Sequence, residues 1–385
     1  MKLHPHVFAR RSAALGAGVL ALASLAACGS SSTPTAKGST SADSATPAAT
    51  SAAPAPIQCG TGKLTLSGST AQQNAINAWI MDYQTACTGA QVSYNGNGSG
   101  GGYTDFTSKT SDFAGSDFPL SAAQQPAADA RCGAGNKAID LPMTPGAIAV
   151  IYNVPGLGAN TQLNLSASTI AKIYNGADST WDSADIKADN PGVTLPSTKI
   201  TPFFRSDGSG TSYNFSNYLN NVAKADFPTT ANKQWPGKTG QGAKGSQGVA
   251  QGVQSTPGGI GYAELSFAGN GVVAAKIGNA GGKFVDATPD NASNFIGKAI
   301  VKQNGSDIQL AFDYTNADAN AYPASLVTYE FVCAAGNDAA KLPLIKGFLG
   351  YLASDAAQAK LPTSGYVKLP ASVQAIVKTA VAGLS

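Results

Sequence analysis

The chain has 385 residues, of which 43% are hydrophobic and 12% are charged, and it contains 44 glycines. These proportions predict a globular, loop-rich protein with room for two domains, and they exclude a fibre or a bundle of membrane helices. The formal charge of +3 comes from Lys2, Arg10 and Arg11, because the rest of the chain holds 22 basic and 22 acidic residues. A nucleic-acid-binding protein would keep a basic surplus, so that class is excluded too.

Residues 1–27 are typical of a bacterial export signal. Basic residues precede an apolar run from Ala13 to Ala27, which is too short to span a bilayer with ease. The run ends in Leu-Ala-Ala-Cys, which resembles a lipobox and predicts cleavage before Cys28 and lipidation of its sulfur. An alternative twin-arginine signal at Arg10–Arg11 fits the following residues poorly. We therefore expect an extracytoplasmic protein, lipid-anchored to the outer face of the cell membrane.

Residues 28–56 predict a flexible tether between this anchor and the folded part. After Cys28 they are almost all Gly, Ser, Thr, Ala and Pro, with no aromatic residue, and cannot bury enough apolar surface to fold. Folding is expected from Ile57 onward.

Strands and helices alternate through the rest of the chain. The first strand is predicted over 63–68 and the first helix over 71–85, with apolar residues on one helical face at Ile76, Trp79, Ile80 and Tyr83. The further predicted strands are 90–96, 111–117, 148–154, 199–205, 259–265 and 326–333, and the further predicted helices are 168–174, 211–222, 291–302, 339–353 and 372–381. This alternation implies an α/β fold with a mostly parallel sheet flanked by helices.

Histidine and cysteine usage limits the available chemistry. Both histidines, His4 and His6, lie in the signal, so the mature protein has no His general base, Ser-His triad or His metal ligand. We expect no metal and no cofactor. Once Cys28 is assigned to lipid, four cysteines remain, which allows three disulfide pairings. Their positions favour Cys59–Cys87 with Cys132–Cys333, since Cys59 precedes the first strand and Cys87 ends the first helix.

Three loops that follow predicted strands have the composition of an oxyanion site. They are Ser69–Thr70, the glycine-rich 95–102 with Gly98 and Ser99, and Arg205–Thr211 (RSDGSGT). Backbone N–H groups, hydroxyls and the positive ends of helix dipoles bind small anions, and an arginine adds a planar cation. Alternatively, Ser209 or Thr211 only caps a helix and Ser99 lies in a plain surface turn.

Asp117, in GSDFPL, is the fourth element of this pattern. A carboxylate beside an anion is favourable only if the anion carries a proton, which phosphate does near neutral pH and sulfate does not. Alternatively, Asp117 is the N-cap of a helix within 120–130.

From about Lys63 onward the chain resembles the phosphate-binding proteins of bacterial ABC phosphate importers, which have the two-lobed periplasmic-binding-protein (type II) fold. The matching motifs are SGSTAQQNAINAW, YNGNGSGGG, DFAGSDFPL, STIAKIYNG, ITPFFRSDGSGTSYNFSNYL, GGIGYAE and GYVKLP. The resemblance implies phosphate contacts from Thr70, the amide of Ala71, Ser99, Asp117, Arg205, Ser209, Gly210 and Thr211. Asp207 is the residue expected to hold Arg205 in place, with Ser69 and Gly98 in support. The chain departs from the family at Ala71, where a bulky residue is common, and at Gly100, where a second serine is often found.

The same resemblance implies that phosphate is captured between two lobes and delivered to a membrane permease. We expect residues 57–143 and 325–385 to form the first lobe and 144–324 the second. Three alternatives stay open: a binding protein for sulfate, molybdate or another tetrahedral anion, a phosphatase, and a surface adhesin or sensor. The first is disfavoured by Asp117, and the second by the lack of histidine and of clustered carboxylates.

Overall fold

The computed structural model describes residues 56–157, 161–269 and 271–385. The signal predicted at 1–27, the lipidation site at Cys28 and the tether up to residue 55 lie outside the described residues. Among the residues described, none of the helices is both long enough and apolar enough to span a membrane.

The secondary structure of the described chain alternates as the sequence predicts. The strands are β1 (Gly62–Gly68), β2 (Ala90–Asn95), β3 (Ala114–Ser116), β4 (Ala138–Asn153), β5 (Asn164–Leu165), β6 (Thr201–Arg205), β7 (Gln241–Ala243), β8 (Gly259–Glu264), β9 (Val273–Ala274), β10 (Lys276–Gly278), β11 (Phe284–Val285), β12 (Ile300–Asn304), β13 (Asp307–Ala311) and β14 (Ser325–Cys333). The α-helices are α1 (Gln73–Ala86), α2 (Ser99–Thr107), α3 (Gln125–Cys132), α4 (Ala167–Asn175), α5 (Ala184–Asp189), α6 (Gly210–Val222), α7 (Gly245–Ser255), α8 (Pro289–Ile296), α9 (Leu342–Leu352), α10 (Asp355–Gln358) and α11 (Ala371–Ala382).

One mixed sheet runs through the fold in the order β2-β1-β3-β14-β4-β8-β6-β7. The strands at its two ends are parallel, namely β2-β1-β3 and β8-β6-β7. The central pairs β3-β14, β14-β4 and β4-β8 are antiparallel. Because parallel strands end at one edge, the loops after β1, β2 and β3 lie together in one half of the sheet, and those after β6 and β7 in the other.

The long strand β4 connects the two halves of the sheet. Its residues up to Ala147 pair with β14, and those from Ile148 onward pair with β8. The sequence predicts only the second part of this strand, since Pro142 and Pro145 in the first part lack the N–H that a central strand normally donates. The structure accommodates them with a shift of register in β14 at Thr328.

The prediction of a helix over 291–302 is wrong in its second half. Helix α8 ends at Ile296, and β12 and β13 form an antiparallel hairpin that turns at Gly305 with φ of +60°. A glycine with positive φ at this position is typical of a two-residue hairpin turn. The hairpin bonds to the half of the sheet that contains β14, because the N–H of Leu310 donates to the hydroxyl of Tyr329 (3.0 Å).

The two disulfides of the described chain are Cys59–Cys87 and Cys132–Cys333, with Cα–Cα distances of 5.3 and 5.5 Å. This is the pairing that the sequence favours. The first joins the segment before β1 to the end of α1, whose predicted apolar face is buried. The second ties the end of α3 to the end of β14, so both lie in the part of the fold that holds the loops after β1, β2 and β3.

Candidate anion-binding site

Asp117 follows β3 and lies at the centre of the candidate site. Its carboxylate is buried and accepts hydrogen bonds from three hydroxyl groups, those of Ser69, Thr328 (2.8 Å) and Thr211 (3.0 Å). Burial raises the pKa of the Asp117 carboxyl, and these hydroxyls together with Arg205 offset part of that rise. A buried carboxyl with a raised pKa is a good acceptor for the proton of a neighbouring acid.

The alternative in which Asp117 caps a helix is wrong. Helix α3 begins at Gln125, with Gln124 in the N-cap position, so Asp117 is separated from it by a non-helical segment. The backbone of Asp117 is held instead by the site itself, since its N–H donates to Ser99 Oγ (3.1 Å) and its carbonyl accepts from Asn214 Nδ2 (2.7 Å).

Ser99 is buried at the first position of α2 and does not lie in a surface turn. The chain enters this helix through Gly98, whose φ of +90° is readily adopted only by glycine. Ser99 Oγ accepts from the backbone N–H groups of Asp117 and Gly210, each at 3.1 Å. The serine therefore lies between the loop after β3 and the start of α6.

The start of α6 contributes a helix cap at Ser209, a close backbone contact between Gly210 and Asp117, and the buried hydroxyl of Thr211. Ser209 is the N-cap and accepts from the N–H of Ser212 (3.1 Å), as the simpler interpretation of this stretch predicts. A Cβ placed on Gly210 would lie 2.7 Å from Cβ of Asp117, so only glycine allows this contact. Thr211 is fully buried and donates to Asp117. The cap uses only the side chain of Ser209, so Gly210 and Thr211 remain in contact with Asp117.

Arg205 ends β6 and is 1% exposed, which makes it the buried cation of the site. Its Nε donates to Asp207 Oδ1 (2.8 Å) and its Nη2 to Asp207 Oδ2. Burial alone would raise the pKa of Asp207, but the hydrogen bonds and charge of Arg205 lower it. Nη1 points into the site, 3.4 Å from Thr211 Oγ1 and 3.5 Å from Ser246 Oγ. Asp207 therefore occupies one edge of the guanidinium and leaves the other for a ligand.

Aromatic packing fixes the backbone beneath Arg205. The N–H of Arg205 donates to the hydroxyl of Tyr262 (3.2 Å), which also bonds to Ser212 Oγ (2.7 Å). The Tyr262 ring stacks on Phe215 at 4.5 Å and packs against Trp235 at 5.0 Å between ring centroids. Such packing restricts the cation to one orientation.

The loop after β1 brings Thr70 and Ala71 to the site ahead of α1. Thr70 Oγ1 accepts from the N–H of Ser246 (3.0 Å) and lies 3.1 Å from Ser246 Oγ. The amide of Ala71, which is predicted to contact the anion, donates to Ser69 Oγ (3.0 Å). Ser69 in turn donates to Asp117, so this loop and the aspartate form one network.

Three residues of this site are not predicted from the sequence: Ser246, Asn214 and Thr328. Ser246 lies in the first turn of α7, in a Lys-Gly-Ser stretch directly after β7, which is the same strand-to-helix pattern as the predicted loops and a detectable signal. Asn214 lies on α6, just after the Arg205–Thr211 motif, and its side chain faces Asp117. Thr328 is in the middle of a buried strand, where no local signal distinguishes it.

Two more buried carboxyl groups surround Asp117. Burial, with a contribution from the charge of Asp117, raises the pKa of both Glu264 and Glu330 to about 8. They are therefore mainly protonated at neutral pH, so Asp207 and Asp117 are the carboxylates that face the positive charge of Arg205. Among the described residues no group of three or more His, Cys, Asp or Glu side chains is arranged to hold a metal ion.

The chain is similar to known proteins over most of its length. A PBP superfamily domain matches residues 29–356. The phosphate-binding protein PstS3 of Mycobacterium bovis is 38% identical over 373 residues, which cover 95% of this chain and 96% of the relative. The phosphate-binding protein PstS 2 of Mycobacterium tuberculosis is 38% identical over 388 residues, covering 98% and 100%. A solved high-affinity periplasmic phosphate-binding protein (PfluDING) shares the fold with a TM-score of 0.67 at 21% identity, over 83% of this chain and 93% of that one.

Proposed function

Because the chain belongs to the phosphate-binding PstS proteins of the PBP superfamily, we propose that it captures inorganic phosphate between its two lobes. It is an extracytoplasmic binding protein of a phosphate ABC importer and not an enzyme, as its family is a family of transport proteins.

One observation supports the proposal most strongly. Loops that follow three different strands, together with Thr328 of β14, place hydroxyl groups, backbone N–H groups and one guanidinium around a single buried carboxylate, Asp117. Donors around an arginine suit a tetrahedral anion with several acceptor oxygens. The carboxylate accepts a hydrogen bond from P–OH, which fully ionised sulfate does not have. The predicted ligands Thr70, Ser99, Arg205, Ser209, Gly210 and Thr211 supply the donors in this proposal.

The lobe boundaries are a further part of the proposal. We propose the first lobe at 57–143 and 325–385 and the second at 144–324. Each of three direct contacts joins the two lobes: Asp117 to Thr211, Ser99 to Gly210 and Thr70 to Ser246. Phosphate would exchange the first two contacts for its own and leave the third in place. It would hold the lobes together, because only the closed arrangement supplies donors from both sides.

The surroundings of the protein are also part of the proposal. Lipid on Cys28 would anchor it to the outer face of the membrane, and the Ser/Thr/Ala/Pro-rich segment up to residue 56 would let the lobes reach a permease. Phosphate released on contact with the permease subunits would then enter the transporter.

Isothermal titration of the purified protein with phosphate, arsenate and sulfate tests the function. We expect one site per chain that binds phosphate and arsenate, which both carry a proton at neutral pH, and excludes sulfate. Equal heats for sulfate and phosphate would refute the assignment of Asp117, and no heat for phosphate would refute the function.

A further inference from the structure

Ser246 lies outside the residues that the family resemblance assigns to phosphate, but it contacts two of them. It follows Gly245 at the start of α7, directly after β7, which pairs in parallel with β6. The loops after β6 and β7 therefore reach the same edge of the sheet, and Ser246 is fully buried there.

The hydrogen bonds of Ser246 cross the cleft. Its N–H donates to Thr70 Oγ1 (3.0 Å), and its Oγ lies 3.1 Å from the same oxygen. Its Oγ also accepts from Arg205 Nη1 at the longer distance of 3.5 Å. Among the described residues, the hydrogen bonds of Ser246 join it to Thr70 and Arg205 and not to the backbone of α7.

The hydrogen bonds from Ser246 determine in which direction the Thr70 hydroxyl can donate its proton. A threonine hydroxyl has one proton and two lone pairs. The N–H of Ser246 occupies one lone pair of Thr70, and the hydroxyl of Ser246 can donate to the other. The single proton of Thr70 is then directed away from Ser246, toward a ligand, and accepting two hydrogen bonds makes that hydroxyl a stronger donor.

We propose that Ser246 is a positioning residue of the phosphate site, which orients the Thr70 hydroxyl from the opposite lobe and latches the two lobes together. The inference rests on the proposed phosphate function and adds α7 to the elements that form the site. Ser246 need not touch phosphate, because it acts through Thr70.

The test compares Ser246→Ala with the wild-type protein by isothermal titration of phosphate and by stopped-flow release. We expect the dissociation constant to rise by about tenfold, mostly through faster release, as is usual when a hydrogen bond that holds a bound state is removed. The thermal midpoint without phosphate should stay within about 2 °C of wild type, because the loss of one hydrogen bond of about 1 kcal/mol shifts the midpoint of a chain of this size only slightly. A merely structural serine would lower that midpoint and leave the dissociation constant unchanged.

Ser216→Ala is the matched control. Ser216 is also a fully buried helical serine, but it donates to the carbonyl of Tyr213 (3.0 Å) and has no bond to the site residues. Its variant should bind phosphate like wild type. If Ser246→Ala does not fold, Ser246→Cys replaces it, because a thiol keeps the volume and is a weak hydrogen-bonding group.

A double-mutant cycle identifies the route of the effect. In a Thr70→Val background, which removes the hydroxyl at nearly constant shape, Ser246→Ala should change the dissociation constant by less than about twofold. An undiminished effect in that background, or wild-type affinity for Ser246→Ala alone, would overturn the proposal. Failure of the wild-type protein to bind phosphate would instead refute the function itself.

Discussion

Replacing Asp117 with asparagine removes the charge of the central carboxylate and keeps its shape. In the structure that carboxylate already accepts from Ser69, Thr328 and Thr211. An asparagine oxygen can still accept from P–OH, so phosphate should lose only the extra strength of a charged acceptor, about 1–2 kcal/mol or roughly fivefold to thirtyfold in affinity.

Sulfate should respond in the opposite direction. Bound sulfate would place an unprotonated oxygen against the Asp117 carboxylate, and two such charges about 4 Å apart repel by about 4 kcal/mol at an effective dielectric constant of ~20. Removing the charge should therefore improve sulfate binding by about a thousandfold. The selectivity of the site thus depends on repulsion of the wrong anion.

Competition titrations measure both effects. Phosphate is titrated into wild type and Asp117→Asn, with and without a large excess of sulfate, and sulfate should compete only in the variant. Asp129→Asn is the control, since Asp129 lies on α3 away from the site and pairs with Lys137. If sulfate competes equally poorly with wild type and Asp117→Asn, the explanation of selectivity is refuted.

Three further predictions concern charge, anchoring and pH. Arg205→Ala should weaken phosphate binding by at least about 2–3 kcal/mol in titration calorimetry, because a buried anion loses its paired donors, and Asp207→Ala should cost less since it removes only orientation. Near-native affinity of Arg205→Ala would exclude this loop from the site. Cys28→Ser should move the protein from the membrane to the medium with unchanged phosphate binding, and a membrane-bound variant would refute the lipobox. The pKa of Glu264 is raised to about 8 by burial, so between about pH 4.5 and 8 the folded state binds more protons and a rise in pH lowers the free energy of unfolding. Glu264→Gln should reduce that slope by about 1 kcal/mol per pH unit in urea unfolding at pH 5.5 and 7, and equal slopes would contradict the burial argument.

The predicted site loops are the parts of the molecule that local sequence describes best. Strand ends followed by Gly, Ser and Thr before a helix have a local cause, because helix N-termini require caps and free N–H groups. Ser99 and the segment from Arg205 to Thr211 each lie at the start of a helix for this reason. The disulfide pairing was likewise accessible, since it depends on which ends of one β-α unit lie close together.

The parts that the sequence analysis missed depend on tertiary contacts. Thr328 reaches Asp117 from the middle of an apolar strand, and only the sheet order β3-β14-β4 brings it there. The sequence also fits Asp117 as a helix cap, because it does not show that α3 begins only at Gln125. The turn glycine Gly305 is the local signal for the hairpin of β12 and β13, but the helical spacing before it predicts a helix that extends beyond Ile296.

A crystal structure of the protein grown with equimolar phosphate tests the central claim most directly. The claim predicts one phosphate between the lobes, with oxygens within hydrogen-bond distance of Arg205, Ser99 and Thr211 and one oxygen against the carboxylate of Asp117. Phosphate bound by residues of a single lobe, or bound away from Asp117, would contradict it.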